Sequence, residues 1–164
     1  KIPQPVIPKI AARVMGLDDP TAKMSKSSSG QGHAIRVTDD EKTILKAFKR
    51  AVTDSGREIT FSDDPARAGV NNLLGIYRAI TKKSEVEVLA DFADARGYGD
   101  LKLAVAEVVI EALRPVRTRY LELMQDPDGL DRLLAQGAGR AGERAESKLT
   151  EMKERIGFLP AVES

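Results

Sequence analysis

Cysteine is absent from the 164 residues, which removes disulfides, thiolate zinc sites and any thiol nucleophile. Tryptophan is absent too, and aromatics reach only 4%, so the core must be built from Leu, Ile, Val, Ala and Met. A single histidine, His33, argues against a multi-histidine metal site and leaves a His-based triad no spare. No apolar run approaches the roughly 18 residues of a membrane span. Net charge is also small: 26 basic and 25 acidic residues leave +1, so bulk charge neither demands nor excludes nucleic acid. The opening Lys1-Ile2-Pro3-Gln4-Pro5 lacks the charged-then-apolar order of a signal peptide. What is present, 41% hydrophobic and 31% charged residues, is ordinary for a soluble globular protein. The expectation is a soluble, cytoplasmic chain of one domain, or one domain plus a piece of another. It begins without Met on a Pro-rich stretch, where Pro3, Pro5 and Pro8 disfavour helix, and reads as a segment cut from something longer.

After this arm, residues 9–17 read as one buried strand or as a loop crossing a core. Asp18-Asp19-Pro20 reads as a turn. The run Ser27-Ser28-Ser29-Gly30-Gln31-Gly32 has the composition of a mobile, solvated loop, with a short strand expected from His33 to Val37. Everything beyond reads as helix. Thr38 with Glu41 forms a capping-box pattern, and Ile44, Leu45, Phe48, Ala51 and Val52 follow at helical spacing until Asp54-Ser55-Gly56. A second helix carries Leu73, Leu74, Tyr77 and Ile80. Ser84 with Glu87 opens a third, with Val88, Leu89 and Phe92, and Arg96-Gly97-Tyr98-Gly99 stops it. A long helix is expected from Asp100 to Met124, its stripe running from Leu101 through Val105, Val109 and Val116 to Leu123. Pro115 inside it should kink or split it. A last helical region follows Asp126-Pro127. Gly137, Gly139 and Gly142 weaken its middle and leave room for a close helix, and Gly157 suits a C-cap.

The segment that carries chemistry is Lys23-Met24-Ser25-Lys26-Ser27. Two lysines three apart flank a hydroxyl in a pliable loop, a composition suited to a polyphosphate. No Gly-x-x-x-x-Gly-Lys precedes it, so it is not a Walker A loop. A solvated Lys/Ser surface loop is the plain alternative for an isolated Lys-x-Ser-Lys.

The pentapeptide resembles the signature loop of class I aminoacyl-tRNA synthetases, and longer stretches resemble the tryptophanyl-tRNA synthetase family within it. Pro5-Val6-Ile7-Pro8-Lys9, Ala12-Arg13-Val14-Met15 and Asp19-Pro20-Thr21 are similar to that family's approach to the loop. Lys49-Arg50-Ala51-Val52-Thr53-Asp54-Ser55, Gly69-Val70-Asn71-Asn72-Leu73-Leu74, Gly97-Tyr98-Gly99-Asp100, Leu113-Arg114-Pro115, Arg119-Tyr120 and Gly157-Phe158 continue the similarity across essentially the whole chain. Ala22, Ser28-Ser29-Gly30 and Ala68 depart from it at its periphery. The family's His-x-Gly-His type signature is missing, and His33, a lone His beside the loop, cannot supply it.

The resemblance implies the C-terminal half of an enzyme that joins tryptophan to its tRNA with ATP, releasing AMP and pyrophosphate. It implies a mostly α fold: residues 1–37 as the tail of a Rossmann-type α/β catalytic domain, and 38–164 as a helical, anticodon-binding-like bundle. Lys23 and Lys26 would stabilise charge on the departing pyrophosphate, Lys26 most strongly. Ser25 and Ser27 would also bind the ATP, with Met24 and the backbone near Val14 against adenine. Apolar Met24 and Val14 could simply be core; it is the matching flanking blocks that favour the adenine role. Mg2+ would arrive with ATP, no metal site being expected in the chain itself. The parent would dimerise through its missing catalytic half.

For tRNA, Lys42, Lys46, Lys49 and Arg50 put four positive charges within 42–50 without an acid among them. Lys42, Lys46 and Arg50 share one helix face, suited to phosphates and equally to solvent. Arg114, Arg117 and Arg119 suit phosphates or unstacked bases, with Glu111 and Glu122 as alternative partners, and Arg140 and Arg144 are weaker candidates. A free-standing helical RNA-binding module without catalysis, or a plain helical interaction domain, remain the other readings.

Overall fold

Helices form where apolar residues recur at helical spacing, and three of the α-helices are opened by a capping side chain. The computed structural model describes residues 2–8, 11–27 and 32–158. It divides the chain into two compact units, Lys1–Thr118 and Arg119–Ser164. Residues 9–10 of the expected strand or loop, and 28–31 of the expected mobile loop, lie outside the described residues.

Residues 2–8 of the first unit have no regular secondary structure, and their Ile2 and Val6 are exposed. Helix α1 spans Glu41–Arg50, and its cap is Asp40, whose carboxylate accepts the Thr43 N–H at 2.6 Å. The expected Thr38–Glu41 box therefore does not form. Arg36 and Asp39 close a turn on each other first, at 2.8 and 3.0 Å, and this places Thr38 ahead of the helix. Residues 33–37 form bends and a turn rather than the expected strand. Helix α2 spans Ala68–Thr81 and α3 spans Glu85–Asp91. The Ser84–Glu87 capping box of α3 forms as expected, with both reciprocal bonds present.

Helix α4 spans Tyr98–Leu123 and continues through Pro115 without the expected split. Pro115 and Glu111 both lie on the exposed side, where water can serve the carbonyl that proline leaves unpaired. The stripe of α4 is buried only in its first half, at Leu101, Val105, Ala106 and Val109, while Val116 and Tyr120 are exposed. These residues close one core with Leu17, Ile44, Phe48, Val70, Leu73, Leu74 and Val88. Leu17 belongs to it although it precedes residue 38, so the core runs across the expected domain boundary.

The stretch between α1 and α2 has one short 3-10 turn, Pro65–Arg67, and is held in large part by side chains. Asn71 accepts the Ser62 N–H at 3.1 Å and donates to the Ser62 carbonyl at 2.5 Å. Tyr98 donates to Asp54 at 2.8 Å, the Gly56 N–H donates to it at 2.6 Å, and Arg67 lies 3.8 Å away. Burial pushes the Asp54 carboxyl up, but these donors and the Arg67 charge more than offset it and hold it below its ordinary value.

The second unit holds helix α5, Pro127–Arg155, capped by Asp126 through the Gly129 N–H at 2.9 Å. It ends as expected at Gly157, with φ +78°. The Phe158 N–H bonds the Lys153 carbonyl at 2.9 Å and the Gly157 N–H bonds the Glu154 carbonyl at 3.1 Å, a Schellman motif. No residue of α5 is buried, and a methyl group at Gly137, Gly139 or Gly142 would meet nothing.

Two stability outcomes follow. A methyl group at Gly69 would lie 2.1 Å from the Val52 carbonyl oxygen. Gly69→Ala should therefore destabilise the protein by about 1–3 kcal/mol in urea titrations, the scale of overpacking. Asp54 has a depressed carboxyl, so its stabilisation is present above the unfolded pKa and lost as pH falls through the folded one. Unfolding curves of Asp54→Asn should lose less stability than wild type between about pH 6 and about pH 2.

Candidate phosphate-binding loop

The loop takes its shape from a short antiparallel contact. Met15 and Lys23 form an isolated bridge. The Gly16 N–H bonds the Ala22 carbonyl at 2.8 Å and the Met24 N–H bonds the Val14 carbonyl at 3.0 Å. Asp19 turns the chain between them, accepting from the Thr21 hydroxyl at 2.6 Å and the Thr21 N–H at 2.9 Å. Those two donors hold its carboxyl below the ordinary value. Of the two expectations for this stretch, the loop is the one observed, with the turn at 18–20 in place.

This hairpin is tied to the helical core at two points and to the far end of its own loop at a third. Asn72, on α2, accepts the Met15 N–H and donates to the Met15 carbonyl, both at 2.9 Å. Its amide thus completes the backbone bonding of Met15 as a neighbouring strand would. The Val52 N–H, just past α1, bonds the Leu17 carbonyl at 2.7 Å. The Leu17 N–H bonds the His33 carbonyl at 3.0 Å, which closes the neck of the whole 17–33 loop.

Within this frame Lys23, Ser25, Lys26 and Ser27 are exposed. Neither lysine makes an ion pair among the described residues, so both charges are available to an anion. Ser25 accepts the Ser27 N–H at 3.3 Å, which begins a tight turn at the loop tip. Val14 and Met24 are half-buried and pack against the core, so part of each is structural. Beside them lies a cleft of about 360 Å3 lined by Arg13, Val14, Met15, Asn71, Asn72 and Ile76, among others. The lysines of the loop are outside its lining.

The tRNA candidates divide into two kinds. Lys42, Lys46, Lys49 and Arg50 are all exposed on α1 and make no ion pair among the described residues. Arg114 pairs with Glu111 at 2.6 Å and reaches Glu41 of α1 at 3.3 Å. Arg117 is half-buried and its charge acts on Asp40, so both arginines stand near the start of α1. In the second unit Arg119 pairs with Glu122 at 3.0 Å.

Two residues were not foreseen from the sequence as parts of this site. Asn72 was visible only inside a matching block, with no role attached. His33 is 5% exposed, its Nδ1 2.6 Å from an Asp18 carboxylate oxygen and its Nε2 3.2 Å from the Lys23 carbonyl oxygen. It is a packed component of the loop rather than a residue beside it.

The family model for class I tRNA synthetases of tryptophan and tyrosine (W and Y) matches residues 1–114. The chain belongs to this class I synthetase family. It is 45% identical over 159 residues to the tryptophan–tRNA ligase of Wolinella succinogenes, covering 97% of this chain and 48% of that protein. The Leifsonia xyli tryptophan–tRNA ligase is 42% identical, with 96% and 46% covered. Among solved structures, the synthetase chain superposes on the tryptophanyl-tRNA synthetase of Mycoplasma pneumoniae with a TM-score of 0.74 at 28% identity, covering 93% of this chain and 45% of that one. The Campylobacter jejuni tryptophanyl-tRNA synthetase complexed with ADP and tryptophan gives a TM-score of 0.65 at 29% identity, over 89% of this chain and 44% of that one. This synthetase chain thus spans about half the length of the curated relatives it matches.

Asn72→Ala strands the half-buried Met15 N–H and carbonyl. It should lower unfolding free energy in urea by about 1–3 kcal/mol. Asn71→Ala, on the Ser62 side, tests a different clamp, and its effect should add to that of Asn72→Ala unless the two clamps share a load.

Proposed function

We propose that the chain is the C-terminal portion of a tryptophan–tRNA ligase, and that its Lys23-Met24-Ser25-Lys26-Ser27 loop grips the phosphates of ATP. In the reaction the tryptophan carboxylate attacks the α-phosphate of ATP, pyrophosphate leaves, and the aminoacyl group passes from the adenylate to tRNA(Trp). Lys23 and Lys26 neutralise the charge that builds on the departing pyrophosphate, and Ser25 and Ser27 donate hydrogen bonds to it. Met24 and the Val14 backbone lie toward adenine. The observation that carries this reading is the loop itself: two unpaired, exposed lysines on a hairpin braced by the core, in a chain similar to tryptophan–tRNA ligases over nearly all its length.

Mg2+ enters with ATP as part of the substrate. Among the described residues no three His, Asp or Glu side chains gather to hold a metal ion, and no step is assigned to one. Residues 1–37 belong functionally to the catalytic domain, and 38–164 form the tRNA-binding, anticodon-domain part, although Leu17 shares the helical core. On this reading the tryptophan pocket belongs to the other half of the ligase, and this portion is inactive alone. The parent ligase dimerises through its catalytic half and works in the cytoplasm. Among the described residues, no helix is long and apolar enough to cross a membrane.

For tRNA the α1 cations carry the reading, because their charge is not already spent on a neighbouring acid. Arg114 and Arg117 join them with weaker effect, since Arg114 must leave Glu111 to reach RNA; Arg119, in the second unit, is a separate candidate that must leave Glu122.

In the natural full-length ligase, Lys26→Ala should slow tryptophan-dependent ATP–pyrophosphate exchange by about a hundredfold while tryptophan affinity changes little. An unchanged exchange rate removes the phosphate role. Replacing Lys42, Lys46 and Lys49 together with Gln should weaken tRNA binding and flatten its log–log salt dependence by about 2–3 units of slope. An unaltered slope assigns α1 to solvent.

A further inference from the structure

His33 is the sole histidine, and both of its ring nitrogens face acceptors. Nδ1 lies 2.6 Å from the Asp18 carboxylate and Nε2 lies 3.2 Å from the Lys23 carbonyl oxygen. A neutral imidazole offers one N–H and one lone pair, so it satisfies one of these oxygens and repels the other. Only the imidazolium donates to both. The ring also fills the neck of the 17–33 loop. The Leu17 N–H bonds the backbone of His33 at 3.0 Å, and a methyl group at Gly16 would fall 2.3 Å from the His33 ring carbon Cε1. Glycine at 16 is what lets the ring in. The ring therefore joins the far end of the loop to the peptide of Lys23, whose ammonium is directed to solvent.

We propose that His33, as a doubly donating imidazolium, is a positioning residue for the phosphate-binding loop, holding the Lys23 peptide in place and releasing it as the ring loses its proton. The proposal rests on the phosphate reading of Lys23 and deepens it. The charged side chains that act on the ring are Asp18, in contact, and Asp19, through space. The bond to the Lys23 carbonyl and then that to Asp18 raise the imidazole above its ordinary value, against the opposing effect of burial. The sign follows directly. The charged form makes the contact, so the contact is complete at low pH and is lost as pH rises through the raised value. ATP binding should weaken along the same curve.

The test has two arms. In this chain His33 gives a single imidazole signal, so an NMR titration reads it without a variant. The ring midpoint should lie above about 6.5, the Lys23 carbonyl carbon shift should move with the same midpoint, and Asp18→Asn should lower both. A ring midpoint at or below the ordinary value, or a Lys23 signal indifferent to it, overturns the proposal whatever becomes of the ATP reading. In the natural full-length ligase, KM for ATP in pyrophosphate exchange should rise by roughly three- to tenfold as pH passes the midpoint. In His33→Gln it should stay flat across that range, with kcat moving less than KM. If ring and Lys23 titrate together but KM does not follow, the positioning role is overturned. The Lys26→Ala exchange rate then decides separately whether the loop binds phosphate at all.

Discussion

The Asn72 amide on the Met15 backbone is the contact on which the rest of the site depends. A hairpin with one bridge and two flanking bonds is too short to hold itself in water. Asn72 adds a donor and an acceptor from a helix whose Val70, Leu73 and Leu74 are fully buried, so the loop inherits the rigidity of that helix. The Val52–Leu17 bond does the same from the end of α1. The lysine charges proposed to act on a moving phosphate are thus presented from a braced base, which is the arrangement electrostatic stabilisation requires.

The same chain separates charges it leaves free from charges it pairs. Lys23, Lys26 and the four cations of α1 have no acid within ion-pair distance among the described residues. Arg78 meets Glu85, Lys83 meets Asp91 and Arg114 meets Glu111. A near-zero net charge therefore conceals a local distribution in which the loop and one helix face keep their positive potential. Exposed pairs of this kind add little to stability. Their consequence is to concentrate the unpaired charge where an anion would bind.

Much of the fold could be read in the sequence, because the helices advertise themselves twice, by apolar spacing and by caps. Ser84 with Glu87 is such a case, and Gly157 closes α5 as its position suggests. The start of α1 was misplaced because Thr38, Asp39 and Asp40 are all competent N-caps, and only the Arg36–Asp39 turn decides among them. The far half of α4 looked buried because Val116 and Tyr120 continue the stripe, yet the first unit's core ends near Leu113. The lysine motif was legible as a local pattern. His33 was not, since its partners lie 15 and 10 residues away and its space depends on a missing side chain at Gly16. Asn72 was hidden for the same reason, 57 residues from Met15.

Native-state amide hydrogen exchange tests most directly whether the helical core braces the phosphate loop. In the full chain without ATP, the N–H groups of Met15, Gly16, Leu17, Met24 and Val52 should open in one step with the amides of α2 around Leu73 and Leu74, at a free energy close to that of global unfolding. Exchange of these five amides at the rates of an unprotected loop, while α2 stays closed, would contradict the account.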